Sequence, residues 1–471
     1  MSAPLTPRRL ASRGRAAVRL GLAALLAVPA GAQAPGAAPA PALTLPNGLQ
    51  VLVVENHSVP MATAKLVVRT GAMTQREDEQ GVPHLFEHML FRGYRGVGGR
   101  PFGHEAAALQ AGYNGTTAEE MVTYYLTLPS AGAEDAVRLL ADLVRRPNFS
   151  ADELRTERFV VLGEMQRDDS EPRDVLRREV GRALWGAGWP RKNVIGESTA
   201  LLAVTPARLR EIYARWYVPN NAALVVTGDV SASRIIEAAR RHFGGWERRA
   251  DPLAAEPPAD PPAPDSTSVV VLSGDVQAVT ILAQWPGPSV GADAGATYDA
   301  DVLADLLADE ESGFQTRLVH GGAFQSAAFG YQTLQHTGPL TFYGTTTVEG
   351  LPGALTALLG ELMLMRNADY YAPRSLAAAA KRRRVQRSFE REEGVSLAHA
   401  LSHAWAVTGL PYHATYADSL AARRPSDLTA FVDRYLTGKP FVIGLLVPPG
   451  RERELVPMMQ QFLQMSKEIG R

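Results

Sequence analysis

The sequence predicts an α+β protein made of two homologous domains, and three observations support this prediction. Strand-like and helix-like segments interleave irregularly, which favours a mainly antiparallel sheet with helices packed on one face over regular strand–helix–strand units. Residues 251–264 contain six prolines and almost no large apolar side chains, which indicates an extended linker. Finally, the segments 205–229 and 424–448, one on each side of this linker, are similar.

These two segments carry the signal of a duplication. They read TPARLREIYARWYVPNNAALVVTGD and RPSDLTAFVDRYLTGKPFVIGLLVP, and they align at a constant offset of 219 residues. In each, a proline in the first turn opens a helix that is followed by an apolar strand. A constant offset over matching elements indicates two copies of one domain. The matched pairs are Pro206 and Pro425, Leu209 and Leu428, Ile212 and Phe431, Arg215 and Arg434, and Trp216 and Tyr435.

The elements of the first copy follow from local patterns. The runs LQVLVVE, ATAKLVVRTG and MVTYYLTL are typical of strands, and Pro83 opens a helix between the second and third of them. Residues 131–144 and 151–169 predict helices from their apolar spacing. We therefore predict an N-terminal domain over 43–247, a proline-rich linker over 248–267 and a C-terminal homologous domain over 268–471.

The N-terminal segment predicts export. Five arginines precede a short apolar run, 20–28, and small residues follow it, which is the pattern of a secretory signal peptide over 1–34. A mitochondrial transit peptide and a twin-arginine signal are the alternatives. Cleavage would change the net charge from −1 to −6, which disfavours nucleic acid as a partner, and would leave no long apolar segment to span a membrane. We expect a periplasmic or secreted protein.

The stretch GVPHLFEHML, residues 81–90, is the strongest candidate for a functional site. On a helix, His84 and His88 lie one turn apart, and Glu87 leaves the same stripe. Zinc binds imidazole pairs of this kind, and hydrolysis requires a carboxylate that can take a proton from water. The chain has no cysteine, so a metal must be held by His, Asp or Glu. The alternative is a helix with two structural histidines.

The duplication tests that alternative. An offset of 219 places Leu303, Leu306 and Leu307 at the positions equivalent to the two histidines and the glutamate. The same helix face is therefore apolar in the second copy, and packing does not require the polar residues. Burial of three ionisable groups costs several kcal/mol unless a metal or another partner compensates, which favours a metal site.

A third ligand is expected on the helix that contains ERFVVLGEMQRDD. Glu157 and Glu164 lie seven residues apart and share a face of this helix. Zinc in catalytic sites has three protein ligands and one open position. From the residues alone, both glutamates could equally be surface residues of an amphipathic helix.

Four segments, GVPHLFEHMLFRG, AGYNGTTAEEMVTYY, the helix 157–172 and YVPNNAALVVTGD, together resemble the pitrilysin/insulinase family of zinc peptidases, the inverzincins. The likeness extends from about Leu43 to the C-terminus and is stronger in the first half. It implies two domains arranged as a clamshell, and one zinc ion (Zn2+) per chain. The implied roles are zinc binding by His84, His88 and Glu164, general base catalysis by Glu87 and support of the ligands by Glu157.

The resemblance also implies substrate contacts. Asn114, Thr117 and Tyr124 match the family's substrate-binding strand, to which a peptide adds as an edge strand, although an ordinary edge strand is the alternative. In the second domain, Tyr331 matches one residue of a substrate-binding Arg/Tyr pair, but Phe324 stands at the arginine position and Arg317 lies elsewhere.

Two functions are therefore expected. The first is a zinc-dependent endopeptidase that hydrolyses peptides or unfolded polypeptides in the cell envelope. The second is a non-catalytic or partner-dependent subunit of a heterodimeric peptidase of the same family, since a fold alone does not imply activity. In either case we expect a homodimer, or a heterodimer with a related subunit.

Overall fold

The computed structural model describes residues 42–96 and 99–468. The predicted signal peptide, residues 1–34, lies outside the described residues. A six-stranded sheet organises the first half of the chain, residues 42–255, and a five-stranded sheet organises the second half, residues 268–468. Most neighbouring strands are antiparallel and helices surround both sheets, which confirms the predicted fold class.

The first sheet has the strand order β1-β2-β6-β3-β5-β4, in which β2 and β6 are parallel. The second sheet has the order β7-β11-β8-β10-β9, in which β7 and β11 are parallel. The strands are β1 Ala42–Thr44, β2 Gln50–Glu55, β3 Met61–Val68, β4 Gly112–Thr117, β5 Val122–Pro129, β6 Ala222–Gly228, β7 Ser268–Ser273, β8 Val279–Pro286, β9 Ser326–Tyr331, β10 Pro339–Thr346 and β11 Val442–Val447.

Helices follow the strands in a similar order in the two halves. In the first half they are α1 Val82–Gly93, α2 Phe102–Ala108, α3 Ala133–Arg145, α4 Ala151–Ser170, α5 Pro172–Trp185, α6 Ser198–Ala203, α7 Pro206–Trp216, α8 Ala232–Phe243 and α9 Pro252–Ala255. In the second half they are α10 Val290–Leu307, α11 Gly313–Gln315, α12 Leu351–Leu364, α13 Pro373–Glu392, α14 Gly394–His403, α15 Leu410–Ala421, α16 Pro425–Tyr435 and α17 Glu452–Glu468.

The duplication is visible in the elements themselves. Helices α7 and α16 each have 11 residues and begin 219 positions apart, and each is followed by the strand that makes the parallel pair of its sheet. The three leucines predicted to be apolar equivalents of the metal stripe, Leu303, Leu306 and Leu307, are all buried in the core of the second half. This confirms that packing does not require polar residues on that face.

In each half of the chain, one face of the sheet is covered by a helix that belongs to the other half. Helix α14 of the second half packs on β3 and β6, where Leu397 and Leu401 contact Val67 and Val225. Helix α5 of the first half packs on β7, β8 and β11. The central strands β6 and β11 are buried at every residue, so separation of the halves would expose apolar surface on both.

The contact between α5 and β11 provides a test of this reciprocal packing, in which each half contributes a helix to the sheet of the other. A Cβ atom added to Gly444 would lie 2.3 Å from Cγ2 of Val180 and 2.8 Å from Cδ1 of Leu176. We expect Gly444→Ala to lower the free energy of unfolding by about 1–3 kcal/mol, because the extra methyl group overpacks this contact. Denaturant unfolding measures the effect. Gly330→Ala, in strand β9 with open space at the Cβ position, is the control, and equal effects of both changes would contradict the prediction.

The loops at the tips of two equivalent hairpins also join the halves. Glu120, between β4 and β5, accepts hydrogen bonds from the backbone N–H groups of Gln335 (2.7 Å) and His336 (2.8 Å), between β9 and β10. Beside it, Lys192 donates to Glu119 at 2.7 Å. Burial raises the pKa of Glu120 to about 7, because the two backbone donors and Lys192 offset only part of the loss of hydration.

This raised pKa predicts a pH-dependent stability. Between the unfolded pKa of about 4.3 and the folded pKa, the native state binds more protons than the unfolded state, so stability falls as pH rises, by at most about 4 kcal/mol. Glu120→Gln removes this ionisation. We expect the difference in unfolding free energy between Glu120→Gln and wild type to increase from pH 5 to pH 8 in favour of the variant. Parallel stability curves for the two proteins would contradict the prediction.

Within the described part of the chain, no helix is both long enough and apolar enough to cross a membrane.

Candidate metal centre

Helix α1 presents the first part of the site. Gly81 precedes it with a φ of 85°, a left-handed conformation that glycine adopts without steric cost, and Pro83 occupies its first turn. The residues that face the core are apolar: Val82, Leu85, Phe86, Met89 and Leu90. Burial of this stripe leaves His84 and His88 turned toward the neighbouring helix α4, where they approach Glu157 and Glu164.

Helix α4 presents the second part. Its N-terminus is capped by Ser150, whose side chain accepts a hydrogen bond from the backbone of Glu153. Leu154 and Val161 are buried against the rest of the domain, and Glu157 and Glu164 lie on the adjoining positions toward α1. The antiparallel packing of α1 and α4 therefore brings two histidines of α1 next to two glutamates of α4.

Three ligand atoms converge between these helices. Oε2 of Glu164 lies 3.8 Å from Nε2 of His84 and 3.7 Å from Nε2 of His88. One ligand atom from each of the three residues lies within 4.8 Å of the others, a spacing that suits three ligands of one ion. Two imidazole nitrogens and one carboxylate oxygen are a ligand set that zinc accepts, so the residues fit the ion that the sequence predicts.

The protonation of His84 also suits a ligand. Burial, with a smaller contribution from His88, lowers the pKa of His84 to about 4. The imidazole is therefore neutral at neutral pH and keeps a lone pair for a metal. Its Nδ1 atom is buried and, among the residues that the structure describes, has no hydrogen-bond partner.

Glu157 lies behind the ligands, in the place that the resemblance implies. Its side chain is 5% exposed, and its Oε2 atom lies 3.4 Å from Nδ1 of His88. Its Oε1 atom accepts a hydrogen bond from Nε of Arg92 at 2.9 Å. Glu157 can thus orient the His88 ring, which is a common arrangement of metal-bound histidines.

We expect Glu157→Gln to weaken zinc binding by about 10- to 100-fold. A glutamine amide has one acceptor oxygen, whereas Glu157 faces donors at both oxygens, so the –NH2 group would oppose either His88 or Arg92. Competition with a zinc chelator of known affinity measures the change. Unaltered zinc affinity would show that His88 does not depend on Glu157 for its orientation.

Glu87 contacts strand β4. Its Oε2 atom accepts a hydrogen bond from Oγ1 of Thr117 at 2.8 Å. Burial raises the pKa of Glu87 above its ordinary value, although the Thr117 hydroxyl opposes this rise and Glu164 adds to it. A carboxylate with a raised pKa beside three ligand atoms is suited to proton transfer near neutral pH.

Strand β4 contains two of the residues predicted to bind substrate and lies at the edge of the first sheet. Asn114 is exposed, and its side-chain oxygen accepts a hydrogen bond from the backbone of Gly115. The side chain of Thr117, in contrast, is hydrogen-bonded to Glu87 of helix α1. An edge strand beside a metal site could pair with an extended peptide.

Tyr124, which the resemblance places at the substrate, lies in the core of the first half. Tyr124 is fully buried, its hydroxyl bonds to that of Tyr217 at 2.8 Å, and its ring contacts Phe91. A side chain in this position is part of the core and does not reach the surface of the site. The hydroxyl of Tyr331 donates to the carbonyl oxygen of Pro288 at 2.9 Å.

In the second half, Arg317 is held by Glu361 and Tyr370. Phe324, at the expected arginine position, is buried in the core. Arg317 makes two hydrogen bonds to Glu361, at 2.7 and 2.8 Å, and its guanidinium lies over the ring of Tyr370. The structure therefore supports the sequence-based view that this chain lacks the arginine of the substrate-binding Arg/Tyr pair.

Sequence reasoning missed two contacts of the site. Arg92 follows His88 by four residues, so the helical spacing of His84, His88 and Arg92 could have placed it on the same stripe. The contact between Thr117 and Glu87 joins residues 30 positions apart, and no local signal indicates it.

Taken together, the helix pair with its ligand atoms and the two-domain α+β fold define a candidate metallohydrolase. The chain belongs to the insulinase family, peptidase family M16. The family description "Insulinase (Peptidase family M16)" matches residues 50–194 and "Peptidase M16 inactive domain" matches residues 203–372, which together make up about two thirds of the chain.

Similar proteins carry related names. An uncharacterised zinc protease of Mycobacterium leprae is 30% identical over 201 residues, 43% of this chain and 45% of that protein. One of Bacillus subtilis is 24% identical over 308 residues, 64% of this chain and 73% of that protein. Subunit 1 of the bovine mitochondrial cytochrome b-c1 complex is 27% identical over 201 residues, 43% and 42% of the two chains. The matched region is thus less than half the length of the first and third relatives.

Solved structures share the fold. A protease from Helicobacter pylori superposes with a TM-score of 0.76 at 20% identity, covering 87% of this chain and 99% of that one. The first half of the periplasmic protease PqqL from Escherichia coli gives a TM-score of 0.73 at 16% identity, with 91% and 96% covered. These likenesses agree with the predicted two-domain clamshell arrangement.

Proposed function

We propose that the protein is a zinc-dependent endopeptidase that hydrolyses peptides or unfolded polypeptides in the cell envelope. The observation that carries this proposal is the convergence of His84, His88 and Glu164 beside the half-buried carboxylate of Glu87. Two relatives named zinc protease support the metal and the reaction. The signal-peptide pattern of residues 1–34 supports export to the periplasm or beyond.

Each residue of the site has a separate role in the proposed peptide hydrolysis. His84, His88 and Glu164 would hold the zinc ion, which when bound supplies Lewis acidity to the scissile carbonyl and to water. Glu87 takes a proton from the attacking water and transfers it to the leaving nitrogen as the C–N bond breaks. Glu157 orients His88. Strand β4 binds the substrate by main-chain hydrogen bonds, which tolerate many sequences.

The purified protein tests this function with a quenched fluorescent peptide library. We expect about one zinc per chain, cleavage that a chelator abolishes, and recovery when one equivalent of zinc is added. Folded proteins should be cut far more slowly than the same chains when unfolded. A chain that binds zinc and cleaves neither peptides nor unfolded polypeptides would overturn the proposal for the isolated protein.

A second candidate is a partner-dependent subunit of a heterodimeric peptidase. Phe324 in place of arginine favours it, because the substrate backbone then lacks one donor in this chain. The likeness to a subunit of the cytochrome b-c1 complex also favours it. On this hypothesis the isolated chain binds zinc but cleaves feebly until a related subunit is added, and full activity of the lone chain would exclude it.

A further inference from the structure

Strand β4 contacts Glu87 at two points. The hydroxyl of Thr117, the last residue of the strand, donates to Oε2 of Glu87 at 2.8 Å. At Gly115, a Cβ atom would lie 2.6 Å from Cγ of Glu87 and 3.0 Å from Cε2 of Phe91. The glycine therefore allows the strand to approach the Glu87 side chain closely, and the threonine bonds to the carboxylate at the end of that side chain.

The end of the strand is fixed in place. Directly after Thr117, the carbonyl oxygens of Ala118 and Glu119 accept hydrogen bonds from the backbone of Ala72 and Met73, at 3.3 and 2.8 Å. The backbone N–H of Ala118 donates to Met121 across the hairpin at 2.9 Å. Thr117 therefore presents its hydroxyl from an anchored backbone, and the hydrogen bond restrains Glu87 more than a bond from a free loop would.

The alternation of side chains along the strand separates two roles. Gly115 and Thr117 face helix α1, whereas Asn114 and Thr116 face the other way, and Oγ1 of Thr116 pairs with Oγ1 of Thr123 at 2.7 Å. The hydroxyl of Thr117 has one donor hydrogen, and Glu87 accepts it, so this hydroxyl cannot donate to a peptide at the same time.

We propose that Thr117 is a positioning residue for Glu87 and not a substrate-binding residue. This inference rests on the proposed function, because it assigns the role of Thr117 in the same reaction. The bond to Oε2 fixes the rotation of the carboxylate and leaves Oε1 free to receive the proton. Glutamate has three rotatable side-chain bonds, so an unrestrained Glu87 would spend less time in the geometry that proton transfer requires.

Three variants test the proposal. Thr117→Val removes the hydroxyl at nearly constant volume, and we expect kcat to fall about 10- to 100-fold while KM stays within about twofold. Zinc content should be unchanged. Thr117→Ser restores the hydroxyl and should restore most of kcat. Thr356→Val, which removes a hydroxyl from an exposed position of helix α12 in the second half, should leave kcat at the wild-type value.

A crystallographic readout makes the test independent of activity. In crystals grown without added metal, we expect the Glu87 carboxylate to keep its position in wild type and Thr117→Ser and to move in Thr117→Val. A rise in KM at constant kcat would overturn the proposal in favour of substrate binding. An unmoved carboxylate with unchanged kcat would overturn it as well. If wild type is itself inactive, the proposed function fails, and the position of Glu87 in the three crystals still decides the role of Thr117.

Discussion

Replacement of Glu87 by glutamine is expected to lower kcat/KM by about 10²- to 10⁴-fold while zinc binding remains intact. The amide has nearly the shape of the carboxylate and can still accept the hydrogen bond from Thr117 through its oxygen. It cannot accept a proton at neutral pH, so the base is lost while the ligands stay in place. Cleavage of a quenched fluorescent peptide, together with metal analysis of the same sample, measures both effects.

A matched control for this change is Glu153→Gln. Glu153 lies on helix α4 and pairs with Arg95 at 2.6 Å, outside the set of residues that faces the metal ligands. Its replacement removes one carboxylate from the same domain, and we expect activity within about twofold of wild type, as for most surface substitutions. Wild-type activity in Glu87→Gln would show that another group acts as the base.

Replacement of Glu164 by glutamine is expected to have the opposite pattern, with loss of both zinc and activity. Among the described residues, Oε2 of Glu164 is the carboxylate oxygen within 4 Å of both histidine Nε2 atoms, so the site loses its only anionic ligand candidate. Loss of a residue that supports a ligand costs 10–100-fold in metal affinity, and we expect loss of a ligand to cost more than about 100-fold. Chelator competition measures the affinity.

Thermal unfolding gives a second readout of the Glu164 change. A ligand that binds the native state raises its stability according to its concentration relative to Kd, so zinc should raise the melting temperature of wild type and of Glu87→Gln. The rise should be much smaller for Glu164→Gln. Equal zinc-induced shifts in the two glutamine variants would contradict the assignment of Glu164 as a ligand.

The reciprocal packing of α5 and α14 has a consequence for the site. Helix α4, which carries Glu157 and Glu164, is followed after one residue by α5, which packs on the sheet of the second half. The second half therefore anchors one end of the helix that supplies a ligand candidate. A change that loosens that contact, such as Gly444→Ala, would act on the same helix from a distance.

Much of the fold could be predicted because its signals are local or repeated. The constant offset of 219 residues between α7 and α16 revealed the two copies without any knowledge of contacts. The packing of α5 and α14, each on the sheet of the other half, could not be predicted in this way. The apolar stripe of an amphipathic helix shows that the helix covers something, but the stripe is the same whichever sheet lies beneath it.

The substrate strand shows the same limit at the level of single residues. Alternation along a strand separates two faces, but it does not say which face meets the core and which meets the site. Tyr124 was expected at the substrate and lies in the core, where its hydroxyl bonds to that of Tyr217. Thr117 was also expected there, and its hydroxyl bonds to Glu87. Both outcomes depend on how closely α1 approaches the sheet.

By itself, the sequence determined the pair of histidines and the glutamate between them, because residues four apart on a helix share a stripe wherever the helix packs. It also determined the duplication and the apolar character of the equivalent stripe at Leu303, Leu306 and Leu307. The residues alone left the roles of Glu157 and Glu164 open and the family resemblance assigned them, but only the tertiary structure shows the contacts that separate the two glutamates. Glu157 and Glu164 share one helix face, and the packing of α4 against α1 brings Glu164 to both Nε2 atoms and Glu157 to Nδ1 of His88.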